Sequence, residues 1–149
     1  MQQPTFEIPS DELQRLWVAV NQASVRMQDQ IAGKLKAAGV ADLERYSVLW
    51  GIEREGGAIR PRDLGKVLFL ERYNITRLLD RLEGEGLVVR EECPEDARGQ
   101  IVRLTPVRAK LRKDTWAVYA PALAEMLRGL TDAQAKAATA LLNGLAPEK

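Results

Sequence analysis

Histidine is absent from the chain, and Cys93 is its only cysteine. These two absences remove histidine acid–base catalysis, Cys–His nucleophile pairs, zinc sites of the usual Cys/His kind and any disulfide within one chain. No metal, no cofactor and no enzymatic activity are expected. No run of about 18 apolar residues occurs, so no membrane-spanning helix is expected. The opening stretch MQQPTFEIPSDE is polar and acidic where a signal peptide is basic and then apolar, so a cytoplasmic protein without a membrane partner is expected. Charge of one sign is also lacking: the net charge is only +1, far from the basic balance of many nucleic-acid binders.

What is present is a globular composition, 46% hydrophobic and 29% charged over 149 residues. That length suits one compact domain with a real core, although long helices in so short a chain call for a partner to cover them. The charge is unevenly spread. Residues 58–114 hold 13 Lys and Arg against 10 Asp and Glu, and the remainder holds 9 against 11. Binding to a polyanion would therefore lean on placed arginines, and would still weaken with salt.

The most informative stretch is LERYNITRLLDRLE, residues 70–83. Ile75, Leu78, Leu79 and Leu82 recur at i, i+3, i+4 and i+7, which predicts a helix with one buried stripe. Its outward side carries Tyr73, Thr76, Arg77 and Asp80, flanked by Arg72, Asn74 and Arg81. Donors, a ring and cations suit a helix that lies against base edges between two rows of phosphates, and a plain solvated face has the same pattern. Upstream, RPRDLGKVL (60–68) reads as a short helix with Pro61 at its first position, joined tightly to the next. Downstream, Gly84 and Gly86 end the helix. Two strands follow, 87–91 and 100–105, joined by the polar loop ECPEDARG (92–99), which makes a wing.

The rest of the chain reads as helix. Ser10 caps a long helix whose apolar side runs from Leu13 through Leu16, Trp17, Val20, Met27 and Ile31 to Leu35, closed by Gly39. A stripe that long either packs within the chain or, as preferred here, against a second subunit. A support helix covers 42–55, and residues 58–60 supply a short third strand. Gly65 lets the next helix approach closely. Thr105-Pro106 reads as cap and first residue of a C-terminal helix that Pro121 should kink or divide. Thr131 to Gln134 reads as a capping box for a last helix that stops at Asn143-Gly144.

TRLLDRLEGEGLVVRE (76–91), CPEDARG (93–99) with its Asp96-x-Arg98 signature, and the Leu104-Thr105-Pro106 that follows resemble the multiple-antibiotic-resistance regulators, the MarR family of bacterial transcription factors. The likeness is close over the central third, and the flanking helices match in arrangement. Phe69 and Glu71 depart from the family's usual turn glycine and small capping residue. The resemblance implies a mainly α fold with a minor α+β element, a winged helix-turn-helix in a single domain over 1–149. Residues 41–105 would form the DNA-binding lobe, and 1–40 and 106–149 the dimerisation helices. It further implies a homodimeric transcriptional repressor on double-stranded DNA, with half-sites of a palindromic operator about 34 Å apart.

For the site, the resemblance points to Arg72, Tyr73, Asn74, Thr76 and Arg77 in the major groove, and to Arg98 at the wing tip in the minor groove, oriented by Asp96. A solvated loop ion pair is the bland alternative for Asp96 and Arg98. Arg62 and Arg81 complete the DNA-facing set, and Arg60, Arg90 and Arg103 are weaker phosphate candidates. Asp80 should pair with Arg77 or Arg81. Family members often respond to small, commonly aromatic effectors. Trp17, Tyr46, Trp50, Trp116 and Tyr119 lie on the helices that would line such a pocket, where aromatic residues also serve as plain core. The peroxide-sensing branch keeps its cysteine near the start of the first long helix, so Cys93 in the wing is not expected to sense redox state. A different class stays open: a winged helix used for protein contact, which would show no salt-dependent binding to duplex DNA.

Overall fold

Among the described residues, six helices and a three-stranded sheet follow one another in the order α1 (Asp11–Ala38), α2 (Leu43–Arg54), β1 (Ala58–Ile59), α3 (Pro61–Val67), α4 (Ile75–Gly84), β2 (Val88–Cys93), β3 (Asp96–Leu104), α5 (Arg108–Met126) and α6 (Asp132–Asn143). The structure, a computed structural model, describes residues 7–68, 74–93 and 95–147, with only the backbone of 96–98. The sheet order is β1-β3-β2, antiparallel throughout, with Ile59 opposite Val102 and Arg90 opposite Val102 on the other side. The winged helix-turn-helix architecture is therefore present, α2 to β3, between long helices.

The predicted stripe of α4 is its inner face: Leu78, Leu79 and Leu82 are buried. They pack with Leu49 and Ile52 of α2 and Val102 of β3 into the main core. Each such side chain removed from water contributes about 1.5–3 kcal/mol. α2 is covered on two sides, Val48, Leu49 and Ile52 facing this core while Tyr46 faces α5. A smaller core joins Ile31 and Leu35 of α1 to Ala122 of α5. Only this C-terminal end of α1 is buried, so its apolar side divides. Leu13, Leu16, Trp17 and Val20 are exposed, Trp17 to 72%. No residue of α6 is buried. Among the described residues no helix is long and apolar enough to cross a membrane.

The caps of α1 and α6 form as expected. Ser10 accepts the amide of Leu13 and Gly39 turns at φ 68°. Thr131 and Gln134 close a reciprocal capping box. Four local expectations change. The helix expected from residue 70 starts at Ile75, because Asn74 is extended and caps it. The expected loop 92–99 is largely strand: Glu92 stands opposite Gln100 and Cys93 opposite Asp96, so β3 carries Ala97, Arg98 and Gly99 as an insertion at the tip. Thr105 does not cap α5, which begins at Arg108 behind Val107. Its hydroxyl instead donates to the Gly86 carbonyl at 2.6 Å, tying the base of the wing to the end of α4. Pro121 lies inside an undivided α5, which leaves the kink of the two expected alternatives. Arg60 leaves the sheet to precede α3.

Gly65 does not provide the close approach. A Cβ there would meet Ile75 at an ordinary 3.7 Å. The tight position is Gly51, where a Cβ would stand 3.1 Å from Val67 Cγ2, so its bare α-carbon lets the end of α3 settle on α2.

Candidate nucleic-acid interface

Asn74 accepts the Arg77 amide through Oδ1 at 3.1 Å, and its Nδ2 donor has no partner among the described residues. Thr76 and Arg77 follow on the exposed side. Among the described residues no carboxylate pairs with Arg77. A groove of about 390 Å³ runs past Asn74, Arg77 and Arg81, bounded by Glu44. Arg62, on α3, is likewise exposed and without an ion pair among the described residues.

The other predicted cations are committed elsewhere. Arg81 reaches Asp42 at 3.1 Å and Glu85 at 3.3 Å. Arg60 lies 3.8 Å from Glu95 and donates to Cys93 Sγ at 3.6 Å, and Arg103 pairs with Glu91 at 3.2 Å. Arg90 pairs with Asp80 and, at 3.4 Å, with Glu83. Asp80 therefore holds β2 and not Arg77 or Arg81, because Arg90 projects from the wing over the back of α4. Arg72 and Tyr73 lie outside the described residues. For Asp96 and Arg98 the backbone alone is defined, at the tip of the wing hairpin.

Three of the five pocket candidates meet. Tyr46 stacks on Tyr119 with ring centroids 4.7 Å apart, and Trp116 on Tyr119 at 6.0 Å. Burial raises the ionisation constants of both tyrosines above the usual 10.0, because the phenolate loses more hydration than the phenol. Arg112 lies over Trp116 at 5.5 Å and donates to Glu53 at 3.0 Å, and Glu53 also accepts from Arg108. A cleft of about 190 Å³ between α1 and α5 adjoins Tyr119, with Met27, Ile31, Leu123 and Met126 in its walls. Trp50 instead carries Arg54 over its ring, and Trp17 is exposed outside the stack.

Sequence reasoning missed Asp42, Arg45 and Glu85. Asp42 caps α2, accepting the Arg45 amide at 2.9 Å. The Arg45 guanidinium donates to Glu85 at 2.8 Å, across from the end of α4. Burial opposes its charge, but the Glu85 hydrogen bond and the Asp42 carboxylate outweigh that and raise its pKa. The spacings Asp42/Arg45 and Arg81/Glu85 are visible in the sequence as i,i+3 and i,i+4 pairs. Their meeting is not.

Comparison with known proteins converges on one family. The family model described as MarR family matches residues 38–99. The multiple antibiotic resistance protein MarR of Salmonella typhimurium is 37% identical over 94 residues, 63% of this chain and 62% of that protein, so the chain aligns with less than two thirds of that relative's length. The crystal structure of a mutant MarR from E. coli complexed with operator DNA superimposes with TM-score 0.72 at 29% identity, over 92% of this chain and 95% of that one. A MarR family transcriptional regulator from Streptomyces coelicolor, Sco3205, in complex with DNA, shares the fold at TM-score 0.81 and 24% identity, over 98% and 95%. With the wing, the capped α4 and these likenesses together, the chain is similar to the MarR family, by sequence over residues 38–99 and by fold over most of its length.

Proposed function

We propose that this chain is a sequence-specific, double-stranded-DNA-binding transcriptional regulator, a homodimeric repressor on a palindromic operator. The observation that carries the reading is the front of α4. Asn74, Thr76 and Arg77 stand exposed on a rigid, core-anchored helix, and Arg77 has no carboxylate to neutralise it among the described residues. An unneutralised guanidinium beside a free amide donor matches the bidentate edges of guanine and adenine. Arg72 and Tyr73 just before the helix, Arg62 on α3, and Arg98 with Asp96 in the wing complete the proposed contact set. The similarity to an operator-bound MarR at 29% identity supports it.

Dimerisation follows from unspent apolar surface. Leu13, Leu16, Trp17 and Val20 of α1, and Leu141 and Leu142 of α6, are large apolar side chains left exposed within one chain. A second copy related by a two-fold axis covers them and sets two α4 helices one DNA turn apart. Release by a small aromatic effector rests on the Tyr46, Tyr119 and Trp116 stack beside the α1–α5 cleft, with Trp17 and Trp50 brought near by the partner or left as structural residues.

Selection of bound duplexes from random DNA tests the function. The expected result is a two-fold symmetric sequence with half-sites one helical turn apart, bound with an affinity that falls steeply with salt. Recovery of no duplex by a dimeric protein would make the wing a protein-contact module, and a monomer would remove the symmetric operator.

A further inference from the structure

We propose that Arg81 is a positioning residue: with Asp42, Arg45 and Glu85 it closes a ring of alternating charge that holds the rear of α4 against the start of α2, and so sets the angle at which the front of α4 meets DNA. The inference rests on the DNA-binding reading above.

Each member of the ring touches two others. Asp42 Oδ2 takes Arg81 Nη2 at 3.1 Å, and its Oδ1 lies 3.5 Å from Arg45 Nε. Glu85 Oε1 takes Arg81 Nε at 3.3 Å, and its Oε2 takes Arg45 Nη1 at 2.8 Å. All four carboxylate oxygens are engaged. The ring is also anchored. Asp42 is fixed as the cap of α2, and the Arg45 side chain is 19% exposed, held between the two carboxylates. It therefore joins two helices, through residues 40 positions apart in sequence, at a point that hydrophobic packing leaves open to water.

The contrast with Arg77 divides α4 by function. One turn earlier, Arg77 has no ion pair among the described residues; Arg81 has two of its guanidinium nitrogens already spent inside the protein. Leverage makes the rear matter. A helix of 10 residues is about 15 Å long, so a tilt of about 4° at the ring moves the front by about 1 Å. That displacement exceeds the distance range within which a hydrogen bond keeps its strength.

The alternative, that Arg81 neutralises a phosphate, predicts the opposite outcome at Glu85. Removing a carboxylate near DNA should tighten binding if charge alone counts, and should loosen it if the ring sets the angle. The full-length protein, Glu85→Gln, Arg81→Gln and the double variant are titrated with a duplex that the unaltered protein has recovered from random DNA, across a range of salt. Glu85→Gln and Arg81→Gln should each weaken binding about three- to tenfold, and the double variant by little more than either, because opening the ring once releases it. The slope of log affinity against log salt should stay unchanged in both. A salt slope shallower by about 0.9 in Arg81→Gln, the amount that one neutralised phosphate contributes, would show that Arg81 binds the DNA backbone and overturn the proposal. Unchanged or tighter binding by Glu85→Gln would overturn it as well. If the unaltered protein binds no duplex, the DNA-binding reading itself fails and takes this one with it; if it binds normally and the variants miss these outcomes, only the ring proposal fails.

Discussion

Replacing Arg77 with alanine separates recognition from folding more cleanly than any other single change. Its side chain is exposed and makes no ion pair among the described residues, and its backbone amide, which binds Asn74, survives the substitution. Alanine is at least as good a helix former as arginine, so unfolding stability should move by less than about 0.5 kcal/mol. At about 2–4 °C per kcal/mol for a chain of this size, the melting temperature should shift by no more than about 2 °C. Binding should change far more. A bidentate guanidinium–guanine contact is worth about 1–3 kcal/mol per half-site, which is about 5- to 150-fold for each of two symmetric sites. Fluorescence anisotropy with a selected duplex, repeated at several salt concentrations, gives both affinity and slope. If Arg77 reads a base, discrimination at one operator position relaxes. If it holds a phosphate, all duplexes weaken together and the slope drops. Affinity within twofold of the parent would refute the assignment, and a melting temperature lowered by several degrees would show that Arg77 has an internal partner.

Three further outcomes follow from the same geometry. Asn74→Asp keeps the cap oxygen, whereas Asn74→Ala loses it and about 1 kcal/mol of stability; both should lose DNA affinity, and thermal melts alongside titrations separate the two effects. Leu82→Ala empties a fully buried site behind α4 and should cost about 2–5 kcal/mol in denaturant unfolding at fixed protein concentration; a loss below about 1 kcal/mol would place Leu82 outside the core. Tyr46 and Tyr119 have pKa values raised by burial, so the stability they contribute is complete below pH 10 and declines as pH rises through their folded-state values, because the unfolded chain releases those protons first. Phenylalanine at both positions should flatten that alkaline decline, and an unchanged pH profile would count against it.

The sequence disclosed patterns that repeat within one element. The Ile75, Leu78, Leu79, Leu82 stripe and the Ser10 and Thr131 caps depend on neighbours a few residues away, and the structure has them. Thr105-Pro106 carried a good helix-start signal and yet lost, because the Thr105 hydroxyl found the Gly86 carbonyl 19 residues back. Asp80 shows the same limit for the site. Its i−3 and i+1 arginines were the local choices, and Arg90 arrived from the wing. Which cations remained available for a ligand was therefore not readable from spacing. That depended on which carboxylates tertiary packing delivered to Arg60, Arg81, Arg90 and Arg103, and on Arg62 and Arg77 receiving none among the described residues. The expectations for Arg72 and Tyr73 fall outside the described residues.

In the proposed complex with DNA, the pairing of Arg90 with Asp80 and Glu83 ties the wing to α4 as the two jaws of a caliper. A caliper whose jaws cannot slide measures a single gap. Half-sites that respect that gap can drift in sequence one base at a time, but a single base pair inserted between the two jaws unseats one jaw entirely. Insertions and deletions should therefore be purged from its target sites far more severely than substitutions.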